Sequence, residues 1–298
     1  YEIPLCDWSS DVCSPISCGN HESGSMNIAF IHQGGPDMAS YRYRAEMPAK
    51  HLGAKLNDGL ADVVVFSKPV PADLDIARMA RNDGCKLVVD FCDDHFQHEV
   101  LGPIYVEMAN LANRITCPTV GMRERIRNST GMDAAVIPDP YEMPLLEPHA
   151  NGENTLWFGH QRNIGEIVPW FKRIDMGKFN AVTGPNNVLT GYTPWSVENL
   201  QSALAEANTV ILPSKDQCKS ANRLINAIRS GCFVVAKDVP SHKEFREFVW
   251  VGSLETGLRW FKVFQADLND RVKAGQAYIE KYSPERIGDQ WKTLMATI

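Results

Sequence analysis

The sequence contains no apolar run approaching the roughly 20 residues that a helix needs to cross a bilayer, so no membrane-spanning helix is expected. Nor does it carry a basic surplus. A net charge of -6 argues against a general nucleic-acid-binding surface, although local cations can still meet a phosphate or touch a membrane face. There is no CxxC pair, no HExxH and no G-x-G-x-x-G. Redox, zinc-protease and nicotinamide fingerprints are therefore all missing. Near the first residue no basic stretch leads into an apolar one, so no secretory signal is expected there.

What is present suits a globular protein of two ordinary domains in 298 residues. Of eight cysteines, Cys85, Cys92, Cys117, Cys218 and Cys232 sit singly in or beside apolar segments, which predicts free thiols and a cytoplasmic setting. Residues 1–25 crowd three cysteines among Ser, Asp, Pro and Gly without periodicity, and are read as a disordered or artefactual tail with Met26 a plausible start.

The most informative stretch is Thr209 to Asp238, TVILPSKDQCKSANRLINAIRSGCFVVAKD. Thr209 to Leu212 is a β-branched apolar run stopped by Pro213 and Ser214. Ala221, Leu224, Ile225 and Ile228 recur at i, i+3, i+4 and i+7, one apolar helix face. Gly231 is placed to end that helix in a left-handed conformation, and Phe233 to Ala236 reads as a second buried strand. Strand, helix and strand of this kind form a right-handed parallel unit whose ligand lies beyond the carboxyl ends of the strands. Ser214 to Asn222 falls at that place, and its lysines and helix N-terminus favour an anion.

The segment PS…KSANRLINAIRSGCFVVAKDVPSHKEF resembles the nucleotide-sugar segment of the two-domain GT-B glycosyltransferases, in particular the glycogen-synthase-like group (family 4, group 1). The likeness extends more weakly from about Met26 to Ile298. It implies an α/β fold of two Rossmann-like doubly wound domains facing across a cleft. An acceptor domain is expected over 26–148, a nucleotide-sugar domain over 149–283, and a terminal helix over 284–298 that packs back on the first domain.

The remaining pattern agrees with alternating βα units in two blocks. In the first, NIAFIH is followed by Gln33-Gly34-Gly35-Pro36 and a helix from Ser40 to Leu52. Gly34 and Gly35 would let the backbone approach a ligand, and Arg42 and Arg44 are candidates for a phosphate or an acceptor. ADVVVFS and KLVVDF read as strands buried on both faces. After the latter come Asp93, Asp94, His95 and His98. A metal site is weighed there and set aside for capping and cleft-lining, with Asp94 or His95 near the acceptor hydroxyl as proton acceptor. Pro144 to Asn154 is the linker candidate. In the second block TLWF leads into Gly159-His160-Gln161-Arg162, where the resemblance implies a basic residue on the donor diphosphate, best matched by Arg162. Thr193 to Ser196 is expected to cap a helix.

Charge developing on a departing nucleoside diphosphate is stabilised by cations and a helix N-terminus, with no metal or other cofactor required. Arg162, Lys215, Lys219 and Arg223 are the expected cations, and His160, Ser214, Ser220, Asn222 and Asn226 the expected hydrogen bonders. One departure stands out. The two glutamates that most of the family places eight residues apart correspond here to Cys218 and Asn226, which suggests an atypical branch using KSANR instead. The expected activity is transfer of a hexosyl group to an acceptor hydroxyl, metal-independent and with retention. A nucleotide-sugar epimerase and a non-catalytic nucleotide-sugar binder are the alternatives.

Overall fold

The computed structural model describes residues 26–58, 61–173 and 178–298, so the reading of residues 1–25 as a tail lies outside the described residues. The first half runs β1 (Ile28–Ile31), α1 (Ala39–Tyr41), a π-helical turn (Arg42–Glu46), α2 (Met47–Leu52), β2 (Lys55–Leu56), β3 (Val63–Ser67), α3 (Pro71–Asn82), β4 (Lys86–Asp90), α4 (Leu101–Leu111), β5 (Arg114–Cys117), α5 (Val120–Thr130) and β6 (Ala135–Val136). The second runs β7 (Thr155–Phe158), α6 (Ile164–Ile167), β8 (Phe179–Thr183), β9 (Thr193–Pro194), α7 (Val197–Glu206), β10 (Thr209–Leu212), α8 (Asn222–Arg229), β11 (Phe233–Ala236), β12 (Trp250–Val251), α9 (Leu254–Val263), α10 (Leu268–Ile279) and α11 (Pro284–Met295).

Each half is a six-stranded sheet, ordered β2-β1-β3-β4-β5-β6 and β12-β11-β10-β7-β8-β9. Every pairing is parallel, including β10 with β11 in the register Thr209–Phe233 to Leu212–Ala236. The second sheet has the doubly wound order whose switch point lies between its first and fourth strands, here β7 and β10. The central strands β3, β10 and β11 are buried at every residue, because helices cover both faces. Helix α8 lies where the apolar spacing placed it, and Gly231 closes it at φ 79°. A side chain on that glycine would meet the Glu147 carbonyl oxygen at 2.4 Å.

Two expectations need correcting. Thr193 and Pro194 form the edge strand β9, and Ser196 alone caps α7 by accepting from the Asn199 amide at 3.0 Å. Proline is tolerated at an edge because the ladder needs no amide there. Cys92, Cys117, Cys218 and Cys232 are free thiols, but Cys85 is disulfide-bonded.

The halves share packing behind the cleft. One apolar cluster joins Phe30, Val65 and Val88 of the first sheet, Tyr141 and Met143 of the connecting segment, and Val210 and Leu224 of the second half. Helix α11 packs on α2. Its Trp291, fully buried, lies edge-on to Phe30 at 5.6 Å and beneath the Arg44 guanidinium at 5.2 Å. With that rear wall fixed, the carboxyl ends of both sheets face each other at the front.

Candidate functional site

The floor of the cleft on the first half is a buried ion network. Arg44 lies in the π-helical turn and is 1% exposed. It donates to both oxygens of Asp90 at the end of β4 and to the Ile137 carbonyl, with Asp139 at 3.4 Å. Thr116 also donates to Asp90, at 2.7 Å. Arg42 makes a two-pronged ion pair with Glu142, 2.7 and 2.8 Å, and stacks over Trp195 of the second half at 4.9 Å. Both arginines are thus committed to the protein, which corrects the expectation that they meet a phosphate or acceptor. Burial would lower the Arg44 pKa, but Asp90 and Asp139 outweigh it and hold the guanidinium charged.

The run after β4 divides rather than converging. Asp90 belongs to Arg44. Asp93 sits between Lys68 of the first half at 2.7 Å and Lys219 of the second at 3.5 Å. Burial opposes its charge, yet the two lysines prevail and keep it well below the usual carboxylate range. Asp94 pairs with Arg125 at 2.8 Å and receives the Cys218 thiol at 3.7 Å. His98 stays exposed and accepts from the Val100 and Leu101 amides at the start of α4. His95 packs edge-on to Tyr105 at 5.5 Å, and burial lowers its pKa. A half-buried neutral imidazole is left at the mouth of the first half. Among the described residues no group of three or more His, Cys, Asp or Glu side chains is placed to hold a metal ion.

The glycine turn is tied back on itself. The Gly34 amide donates to His32 Nδ1 at 2.8 Å, and a side chain on Gly34 would strike Met38 sulfur at 2.3 Å. Gln33 reaches Asp73 at 2.7 Å. Gly35 has nothing within 4 Å of where a side chain would project. The turn therefore leaves open backbone at Gly35, while the Gly34 amide is already engaged.

On the second half, Lys215 is exposed and forms no ion pair with a described residue, and neither does Arg162. Arg162 lies in a 3-10 turn begun by His160, whose Nδ1 accepts from the Arg162 amide at 3.3 Å. Burial lowers the His160 pKa, and Arg162, Lys68 and Lys219 add to the effect, so cations of both halves surround this ring. Arg223 runs beneath the same loop and donates to the Phe158 carbonyl at 3.1 Å, and a side chain on Gly159 would meet it at 3.0 Å. No carboxylate among the described residues binds it directly. Burial lowers its pKa, with Glu166 the opposing charge. Helix α8 starts at Ala221 with no side-chain cap, so its first-turn amides add to a positive field at the cleft.

The other expected donor ligands mostly fasten the halves together. Ser214 is buried and accepts from the Asp216 amide at 3.4 Å. Asn222 donates to Asp139 at 3.1 Å, and Ser220 bonds the same carboxylate. The Cys218 carbonyl accepts from Thr119 at 3.0 Å, and its side chain is buried in the first half's core. Burial beside Asp94 pushes that thiol up to about 11. Asn226 is 3% exposed: its oxygen accepts from the Glu142 and Met143 amides at 3.0 and 3.1 Å, and its amide donates to Tyr43 at 2.9 Å. Its polar atoms hold the connecting segment against α8, where a hydrogen bond to the donor was expected. Lys68, Glu142 and Asp139 were not singled out from the sequence. For Lys68 the available signal was its place, immediately past a buried parallel strand.

Two parallel six-stranded sheets opposed across a polar cleft make this the GT-B fold. HepE from Anabaena, solved with UDP and glucose, superposes with a TM-score of 0.71 at 12% identity, covering 92% of this chain and 100% of that one. A DNA-modifying β-glucosyltransferase, solved with and without uridine diphosphoglucose, gives 0.57 at 11% identity, covering 90% and 98%. A putative UDP-N-acetylglucosamine 2-epimerase from Listeria monocytogenes gives 0.51 at 10% identity, covering 89% and 94%. No protein-family profile and no curated protein sequence matches the chain.

Proposed function

We propose that the protein moves a sugar from a nucleoside-diphosphate sugar to an acceptor hydroxyl. The observation that carries this reading is the set of cations at the carboxyl ends of the second sheet that have no carboxylate partner among the described residues. Arg162 and Lys215 are exposed, and Arg223 runs beneath the Phe158–Gly159 turn, all on the second half beside the start of α8. Such a field stabilises the charge that gathers on a departing diphosphate, and it does so without a bound metal. Closure of the halves would exclude water and favour transfer over hydrolysis. His95 is the proton acceptor in this scheme, being half-buried and neutral. Asp94, already paired with Arg125, positions the loop rather than the proton. The likeness of the KSANR segment extends the proposal to a hexosyl group transferred with retention, and the four thiols that stay free beside the disulfide-bonded Cys85 extend it to a cytoplasmic setting.

Epimerisation on the same scaffold would call for an acid–base carboxyl pair. Asp90, Asp93 and Asp94 are each committed to Arg or Lys partners, which favours transfer. A panel of nucleoside diphosphates tests the reading by thermal shift. A ligand at 100 times its Kd stabilises the folded state by about 2.7 kcal/mol. One nucleotide should raise Tm, less so in Arg162→Ala and Arg223→Ala, and release of that nucleotide from its sugar should depend on an added acceptor. No shift with any nucleotide at millimolar concentration sinks the proposal. Binding without release leaves a non-catalytic binder.

A further inference from the structure

Lys68 directly follows β3 with φ at 54°, a left-handed conformation that long side chains seldom adopt. Its amide donates to the Asp90 carbonyl at 2.9 Å, which pins the backbone there, and its ammonium reaches Asp93 at 2.7 Å. Strain of this kind persists only where the surroundings over-determine it, and it gathers at ligand clamps. Lys219 comes to the other oxygen of the same carboxylate from the opposite half, at 3.5 Å. Arg162 lies within electrostatic reach of Lys68, and it has no carboxylate of its own among the described residues. Two cations from two halves therefore meet over one carboxylate with Arg162 in electrostatic reach of Lys68, leaving net positive charge in a partly desolvated cleft.

We propose that Lys68 is the first half's contribution to an anion site spanning the cleft, where it takes the donor diphosphate from the side opposite Arg162, with Asp93 as the resident carboxylate that phosphate oxygens displace. The proposal rests on the nucleotide-sugar reading for the identity of the anion, but not for the existence of the site. Lysine suits the task because it offers a point charge that can pass from a carboxylate to a phosphate without changing geometry. The strained backbone aims that charge across the cleft, where a relaxed strand end would direct the side chain elsewhere.

Inorganic pyrophosphate and the nucleoside diphosphates are the probes, applied by thermal shift and calorimetry to the full chain. Lys68→Gly removes the amine while suiting the left-handed backbone, and Asp93→Asn removes the competing carboxylate while keeping both lysines. The expected result is a tenfold or greater loss of pyrophosphate affinity in Lys68→Gly and a severalfold gain in Asp93→Asn. Undiminished affinity in Lys68→Gly overturns the proposal. Should that variant fail to fold, absence of a gain in Asp93→Asn overturns it as well. A wild type that answers to pyrophosphate but to no nucleotide keeps the site and discards the sugar-donor reading. A wild type that answers to a nucleotide, with both variants unchanged, does the reverse, and a wild type answering to neither discards both.

Discussion

Asn226 stands where most of the resembling family has a glutamate and was expected to hydrogen-bond the donor, for instance at a ribose hydroxyl, yet its side chain bonds two linker amides and Tyr43. The two roles predict different outcomes for Asn226→Ala. Leaving buried amides unsatisfied costs about 1–3 kcal/mol, which urea unfolding reads directly. Nucleotide affinity should stay within a factor of two, whereas a ribose ligand would lose much more than that. Two buried histidines set the acid limit of stability. Burial pushes His32 and His242 down to about 4, reinforced by Lys68 at the first and Arg223 at the second, and opposed by Asp90 and Asp93 at the first and Asp238 at the second. The folded state keeps both neutral while the unfolded chain takes up protons near pH 6.5. Stability must therefore fall as pH drops from about 6.5 to about 4, by up to about 3 kcal/mol for each ring, and then level off for these groups. Asp93, held low by Lys219 and Lys68 against burial, adds stability throughout that window and begins to lose it only near its lower end, where the unfolded form starts to protonate. In His242→Gln the slope between pH 6.5 and 4 should be clearly shallower; an unchanged slope would mean that the ring is solvated when the protein is folded.

At the scale of elements, α5 and the loop before α8 are built to touch. Gly121 has no room for a side chain, since one would meet the Gln217 carbonyl oxygen at 2.5 Å. Thr119, which caps α5 through the Met122 amide at 3.0 Å, also donates to the Cys218 carbonyl. Gly121→Ala should push this loop, and Lys215 with it, away from the first half. Overpacking of that size costs about 1–3 kcal/mol, and the nucleotide response should weaken with it. Full stability in the variant would show that the loop stands clear of α5. The long buried elements were legible from sequence because burial on both faces writes a continuous apolar run, as in β3, β10 and β11, and one-sided burial writes the α8 periodicity. The two-residue edge strands β2 and β9 carry no such pattern. Within the site, position past a strand end drew attention to Arg162 and Lys215, whereas Lys68, placed the same way after β3, was passed over. The partners of the site residues were not legible, because pairs such as Asn226 with Tyr43 lie 183 residues apart in sequence, and spacing says nothing about contacts between separately folded blocks.

For the whole molecule, the unequal character of the two sides of the interface decides how it can respond to a ligand. Behind the cleft the halves share apolar packing through Tyr141, Met143 and α11, which resists separation. In front they meet through polar contacts, Asn222 with Asp139 at 3.1 Å and Lys219 with Asp93 at 3.5 Å. Polar contacts of this kind exchange for phosphate oxygens at little net cost, whereas apolar contacts do not. A diphosphate should therefore tighten the front without rearranging the rear. Hydrogen exchange of the full chain with and without the bound nucleotide reads this directly. Slower exchange is expected both at 214–223 and at 66–70 with 92–96, and little change in α11. Protection confined to 214–223 would mean that the second half holds the nucleotide alone, and that the first half meets only the acceptor.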